Sequence, residues 1–315
     1  MKIVFIIDPI DQLKVYKDSS VAMMRAAVRC GHEPYVMEQR DMYLRDGRVR
    51  AFARAIRLND TTAGWYESDA AADTALAGFD AVLMRKDPPF DTEYLYSTHL
   101  LELAEKQGVR VFNRPAALRD FNEKLAIARF PQFTVPTLVT RRASLLKDFL
   151  AEQRDVILKP LDGMGGAGIF RVRMDDVNLN VIIETLTLLE TRTIMAQRYI
   201  PEIMLGDKRI LLINGEPVPY ALARIPATGE TRGNLAAGGK GVAQLLSARD
   251  REIAGTIGPI VRELGLFLVG LDVIGDYLTE INVTSPTGFT EITQQTDCDV
   301  AGLFIGALER ECGAT

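Results

Sequence analysis

Apolar residues in the first third of the 315-residue chain alternate between short continuous runs and i, i+3, i+4 spacing, which predicts an α/β opening. Residues 2–7 are a β-rich apolar run. Asp18, Ser19 and Ser20 can cap a helix reaching Cys30, Gly31 ends it, and residues 33–37 supply a second strand. Asp46-Gly47, between the strand-like segments 42–44 and 49–52, reads as the turn of a small hairpin. A strand over 79–85, a helix over 92–107 closed by Gly108 and a strand over 109–112 follow. Asn113-Arg114-Pro115 then closes a first lobe.

Further on, the pattern predicts a helix bearing Lys124, a strand over 135–140 and an amphipathic helix over 143–153. Two strands within 156–172 are joined by a loop containing Gly163, Gly165, Gly166 and Gly168. Residues 193–201 form a strand stopped by Pro201; its end exposes backbone groups that suit an adenine edge, although an ordinary edge strand fits equally well. Residues 207–224 form a hairpin with Arg209 and Arg224 at its outer ends. Residues 226–241 are polar and glycine-rich without apolar periodicity, and they read as a lid because they lie between two sets of candidate ligands. Ile253, Ile257, Ile260, Val261 and Leu264 mark a helix face with a kink expected at Pro259. A second hairpin, 269–282, and a final helix over 300–311 complete the chain.

Composition narrows the function classes. A net charge of −5 argues against a broad nucleic-acid surface. No cationic leader precedes an apolar segment and no run is long enough to span a bilayer, so a cytoplasmic protein without membrane partners is expected. Cys30, Cys298 and Cys312 are odd in number and lack C-x-x-C spacing, against a disulfide framework or a zinc site. Residues 8–17, between the first strand and its helix, contain no glycine, which disfavours a dinucleotide fold.

The chemistry concentrates in three places. In the 269–282 hairpin, Glu280 and Asn282 flank Ile281 and so share one strand face, which Asp272 can also reach. Three hard oxygen ligands there suit magnesium completed by substrate phosphates; Gly275-Asp276 alone would be ordinary turn chemistry, but Leu271, Val273, Leu278 and Ile281 make these strands too apolar for an exposed surface. In the second place, the glycine-rich loop can offer backbone amides to a phosphate. It lacks the Gly-Lys-Ser/Thr of a Walker A loop, and its lysine, Lys159, precedes the glycines on an apolar strand where an ammonium needs an anionic partner. Third, Arg209 and Arg224 can steady a transferring phosphoryl group or pair with nearby acids. Arg85, at the end of a strand and followed by two prolines, lies where ligands bind in open α/β sheets.

Five runs together resemble the bacterial glutathione synthetases of the ATP-grasp superfamily: Met84-Arg-Lys-Asp-Pro-Pro-Phe-Asp91, Asn122-Glu-Lys124, Leu158-Lys-Pro-Leu-Asp-Gly-Met-Gly-Gly166, Glu230-Thr-Arg-Gly-Asn-Leu-Ala-Ala-Gly-Gly239 and Leu278-Thr-Glu-Ile-Asn-Val-Thr-Ser-Pro286. The resemblance covers essentially the whole chain in order. It implies an α/β ATP-grasp fold with an N-terminal α/β domain (1–122), a central α+β lid subdomain (123–200) and a C-terminal α+β subdomain (201–315) carrying the 226–241 lid loop. The activity it implies is ATP-dependent joining of γ-glutamylcysteine to glycine through an acyl phosphate. Lys124 and Lys159 would bind ATP phosphates under the loop of Gly163, Met164, Gly165 and Gly166. Gln197, Arg198, Tyr199 and Ile200 would face the adenine, and Asp207 the ribose. Asp272, Glu280 and Asn282 would hold two magnesium ions, with manganese as an alternative. Arg209, Arg224 and Arg232 would act on the reacting groups, while Arg85, Asn234, Ser285 and Pro286 would lie toward the dipeptide and glycine. A homotetramer or dimer is also implied. Another ATP-grasp carboxylate–amine ligase would share the nucleotide half; a non-catalytic ATP-binding module would bind Mg-ATP and release no phosphate.

Overall fold

The computed structural model describes residues 1–59, 61, 64–227, 233 and 238–313. The first lobe opens with β1 (Lys2–Ile6), α1 (Ser19–Arg29) and β2 (Glu33–Met37). Asp18 caps α1 by accepting a hydrogen bond from the Val21 amide, and Gly31 at φ +77° turns the chain back, so that β1 and β2 pair in parallel. β3 (Met42–Arg45) and β4 (Arg48–Leu58) form the expected hairpin, with Asp46 and Gly47 both at positive φ. β5 (Tyr66–Ser68) and β6 (Ala72–Ala75) pair with β4, and β7 (Ala81–Met84), α2 (Thr92–Lys106), β8 (Val111–Phe112) and α3 (Pro115–Asp120) follow. The main sheet runs β3-β4-β2-β1-β7-β8, and the helix-connected strands at its centre are parallel.

The second lobe contains β9 (Thr137–Thr140), α4 (Ala143–Gln153), β10 (Asp155–Pro160), β11 (Phe170–Arg173), α5 (Leu179–Thr187) and β12 (Ile194–Arg198). Its antiparallel sheet has the order β11-β10-β12-β9. β12 is therefore an internal strand, which overturns the edge-strand alternative; the amides of Arg198 and Tyr199 are already donated to Pro136 O and Asp155 O. Lys124 also departs from expectation. It sits on a turn after α3, at the start of a short 3₁₀ segment, with Asn122 Oδ1 accepting from the Lys124 and Leu125 amides. A side chain that bonds its own following backbone competes with α-helix there.

The third lobe contains β13 (Asp207–Ile213), β14 (Glu216–Ile225), β15 (Lys240–Leu245), α6 (Ala248–Glu263), β16 (Leu268–Ile274), β17 (Tyr277–Asn282), α7 (Phe289–Gln295) and α8 (Val300–Cys312). The sheet order is β15-β14-β13-β16-β17. Lys240 and Gly241, read as the end of a loop, instead begin β15, because that strand pairs along β14 from Ile225 to Tyr220. Residues 228–232 and 234–237 of the expected lid, with Arg232 and Asn234 among them, lie outside the described residues. α6 remains one helix through Pro259. Its Ile253, Ile257 and Val261 are fully buried, whereas Ile260 points outward at 40% exposure, so the apolar face is narrower than the pattern implied.

Two large cores run across the first and third lobes. One joins Phe5 and Leu83 of the first sheet to Leu211, Phe289 and Phe304. The other joins Val4 and Val82 to Ile210 and Val269. The second lobe has a smaller core of its own, built from Leu146, Leu150, Val156, Leu158, Val172 and Ile183. Side chains interlocked in one core move together, so the first and third lobes form a common base over which the second lobe packs.

Candidate active site

The β16–β17 hairpin forms the floor of the site. Asp272 stands directly opposite Glu280, and Gly270 opposite Asn282, with a register irregularity just after Asp272. Directly opposed residues project from the same face, so both carboxylates and the amide share one side as expected. Leu271, Val273, Leu278 and Ile281 are fully buried on the other. Gly270 has a steric role that the pattern did not reveal: a Cβ there would lie 2.7 Å from Arg209 Cδ and 3.0 Å from Pro286 Cβ. Its missing side chain is the space through which Arg209 crosses the floor.

Arg209 is the cross-strand neighbour of Asp272 on β13, and Arg224 is the neighbour of Asp207 on β14. Arg209 donates from Nε and Nη2 to the two Asp272 oxygens at 2.5 and 3.0 Å. Arg224 Nη2 reaches Asp207 Oδ2 at 2.5 Å and Asp272 Oδ2 at 2.9 Å. Burial alone would raise the Asp272 carboxyl, yet the two guanidiniums outweigh it and hold the group well below the usual carboxylate range. Asp207 is raised by burial, which Arg224 and the more distant Arg209 only partly oppose. Among the described residues its Oδ1 is buried without a hydrogen-bond partner, and the residue lines the cleft.

Two lysines form the opposite wall. Lys124 Nζ donates to Gly163 O and lies 3.0 Å from Glu280 Oε1. Lys159, 6% exposed on β10, donates to Thr279 O at 3.2 Å. Burial lowers its ammonium to about 8, only partly opposed by the attraction of Glu280. Gly165, Gly166 and Gly168 all have positive φ, at +64°, +83° and +70°, a conformation that turns the loop over these ammoniums and that other residues adopt at a cost.

Between these walls lies a cleft of about 670 Å³, lined by Lys124, Lys159, Gly163, Met164, Gly165 and Gly166 together with Gln197 to Ile200. Its lining also includes the apolar Ile157, Ile169, Ile203 and Ile274, which carry no sequence signal for a site. Arg171, bound bidentately by Asp155, stacks 3.5 Å from the centre of the Tyr199 ring. The lining further carries Lys14, Lys17, Lys86, Asp18 and Glu291, of which the sequence singled out only Asp18, as a helix cap. Ser285 is on this wall and donates to Asp87 Oδ1 at 2.6 Å. Arg85 and Pro286, expected at the substrate surface, stand behind it instead. Arg85 is 5% exposed and donates to Ser20 Oγ and Pro286 O, so it fixes the turn that presents Ser285.

The donor set fits magnesium in kind: two carboxylates and an amide on one face, beside ammoniums able to hold phosphate. Asn282 Nδ2 donates to Gly270 O at 3.1 Å, which leaves its oxygen on the opposite side of the amide group. Among the described residues no three His, Cys, Asp or Glu side chains converge.

Residues 1–119 match the family model described as prokaryotic glutathione synthetase, N-terminal domain, and residues 123–297 the one described as prokaryotic glutathione synthetase, ATP-grasp domain. The chain belongs to the prokaryotic glutathione synthetase family. A glutathione synthetase of Nitrosomonas europaea is 63% identical over 313 residues, 98% of each chain. One of Ralstonia nicotianae is 61% identical over 313 residues, 99% of this chain and 97% of that one, and one of Pseudomonas aeruginosa is 56% identical over 309 residues, 98% of each. Two solved structures share the fold at low identity. They are the D-cycloserine synthetase DcsG (TM-score 0.70, 16% identity, 98% of this chain and 99% of that one) and the ATP-grasp ligase PsnB with minimal precursor, Mg and ADP (TM-score 0.63, 20%, 99% and 98%). The fold of this glutathione synthetase family member is thus the mixed α/β ATP-grasp fold expected from its sequence.

The lowered Lys159 value has a measurable consequence. Because the unfolded chain holds the lysine proton up to the ordinary value of 10.5, burial of the ammonium costs stability below about 8, and the cost is relieved as pH rises between the two values. Anion binding follows the opposite course. Calorimetric ADP affinity with magnesium present is expected to hold steady at neutral pH and to fall above about 8, by up to tenfold per unit, as Lys159 discharges. Lys159→Arg, charged throughout, should lack that limb.

Proposed function

We propose that the cleft ligates γ-glutamylcysteine to glycine with ATP converted to ADP and phosphate. The supporting observation is that Lys124, Lys159, Arg209, Arg224, Asp272 and Glu280 line one cleft of about 670 Å³, with Lys124 paired to Glu280 and Lys159 bonded to the same strand. Lys124 and Lys159 take the ATP phosphates beneath the 163–168 loop; Gln197 to Ile200 and the isoleucines take the adenine, and Asp207 Oδ1 the ribose. Ser285, on the turn held by Arg85, faces the peptide side. Residues 1–122, 123–200 and 201–315 act as substrate domain, cover and catalytic floor.

A carboxylate is a poor acyl donor, so the dipeptide carboxylate oxygen attacks the γ-phosphorus and ADP leaves. The glycine amine then attacks the acyl carbon and phosphate leaves with the acyl oxygen. Where carboxylate meets triphosphate, repulsion among anionic oxygens is the main electrostatic barrier. The two guanidiniums and two ammoniums, fixed before substrate arrives, oppose it without reorganisation. Asp272, Glu280 and Asn282 would hold magnesium ions, with manganese as an alternative, which supply Lewis-acid neutralisation of the phosphate oxygens when bound. The family resemblance also supports a cytoplasmic homo-oligomer, dimer or tetramer; among the described residues no helix is long and apolar enough to cross a membrane.

The test is phosphate release from Mg-ATP with γ-glutamylcysteine, with and without glycine, and product identification by mass. Glycine-dependent release with formation of the tripeptide is expected. Release only with other amines would replace the substrate assignment, and ATP binding without release under any acceptor would make the chain a binding module.

A further inference from the structure

β17 carries Glu280 and Asn282 yet is the edge strand of its sheet, with no strand partner on its outer side among the described residues. An edge leaves backbone donors unpaired and lets a strand shift unless something covers it. Here one residue covers it. Glu123 O accepts from Ile281 N at 2.8 Å, and Glu123 Oε1 accepts from Val283 N at 2.8 Å, Thr284 N at 3.0 Å and Thr284 Oγ1 at 2.9 Å. Four donors flanking Asn282 therefore end on a single residue of the segment between α3 and β9. Its neighbours bind elsewhere: Asn122 Nδ2 donates to Leu161 O at the root of the glycine-rich loop, and Lys124 Nζ bridges Gly163 O and Glu280.

We propose that Glu123 is a positioning residue for ligation, the peg that locks the edge strand bearing Glu280 and Asn282 in register with the lysine wall. The site needs Glu280 opposite Lys124 while Asn282 stays two residues along, and the peg acts at 281, 283 and 284, on either side of Asn282. Displacement of that strand by about 1 Å leaves every side chain present and misaligns the phosphoryl acceptor, an effect that can cost about a hundredfold in rate. What the Glu123 side chain must supply is acceptor reach rather than charge, because the three donors that end on it, the Val283 and Thr284 amides and the Thr284 hydroxyl, are neutral. The assignment rests on the ligase function proposed above only for its kinetic consequence.

Two full-length variants separate reach from charge. Glu123→Gln keeps the length and a carbonyl acceptor; Glu123→Asp keeps the charge and withdraws the oxygens by one methylene. Amide hydrogen exchange at 281–284, which needs no activity, is expected to quicken about tenfold or more in Asp and stay near the parent in Gln. Glycine-dependent phosphate release is expected to lose about a hundredfold in kcat in Asp and less than about fivefold in Gln, with calorimetric Mg-ADP affinity within about threefold in both. A merely structural loss would not restore kcat on going to Gln while nucleotide affinity stays constant. Unchanged exchange in Asp, or Asp more active than Gln, would overturn the proposal, the latter by assigning Glu123 a direct electrostatic role. If the parent itself shows no glycine-dependent release, the functional assignment fails while the exchange comparison still decides the peg.

Discussion

Glu280→Ala is expected to lower glycine-dependent phosphate release by about a thousandfold while the chain remains folded and still binds ADP measurably. Its carboxylate lies 3.0 Å from Lys124 Nζ and is the chief attraction opposing the burial of Lys159. Without it the neighbouring Lys124 and Lys159 ammoniums have less negative charge to balance them, and the Lys159 value should fall further below about 8. The oxygen set on the floor also loses one of its two carboxylates. The fold should survive because the side chain is 22% exposed and β17 is held by backbone pairing and by Glu123. Phosphate release, ADP calorimetry and a thermal melt, run together, check this; turnover within about tenfold of the parent would remove Glu280 from the catalytic floor.

Asp272→Asn has the opposite signature and the largest expected effect on stability. The side chain is 5% exposed, between Arg209 and Arg224, each 8% exposed. Removing its charge leaves two buried guanidiniums with Asp207 as the nearest remaining carboxylate among the described residues, and Asp207 Oδ2 accepts from Arg224. Loss of one partner of a buried pair costs about 3–5 kcal/mol, and urea denaturation at neutral pH measures it. The pH dependence follows from the depressed Asp272 value: its contribution is present above the ordinary carboxylate range and is lost as pH falls through the native value, so parent and variant should converge in acid. A variant as stable as the parent would show that the arginines find other partners when Asp272 is neutral.

How much of this was legible beforehand depends on whether a signal is local. α4 appears over the predicted residues from its apolar spacing alone; α1 and the β16–β17 hairpin appear nearly so, because a capping Asp, a glycine at positive φ and a Gly-Asp turn act within a few residues. The shared face of Asp272, Glu280 and Asn282 was equally readable, since strand alternation fixes it. Lys159 was recognisable as a buried charge from its apolar neighbours. Lys124 was misassigned to a helix because Asn122 diverts the backbone by a side-chain bond that helical periodicity does not register. α5, α7 and β15 carry no pattern that marks them: β15 has no buried residue and is held by pairing along β14.

The order of elements, the polar residues inside apolar strands and the family follow from the chain alone, because each depends on residue type and spacing within a short window. Only the tertiary structure decided which charges meet. Arg209 and Arg224 converge on Asp272 through strand pairings 63 residues apart or fewer, Arg85 is drawn behind the wall to hold Pro286, and Glu123 reaches across 160 residues to the end of β17. Such contacts carry no periodic trace. They arise when two sheets and a separate small core are packed, and burial then gives each pairing its strength by excluding the water that would otherwise screen it.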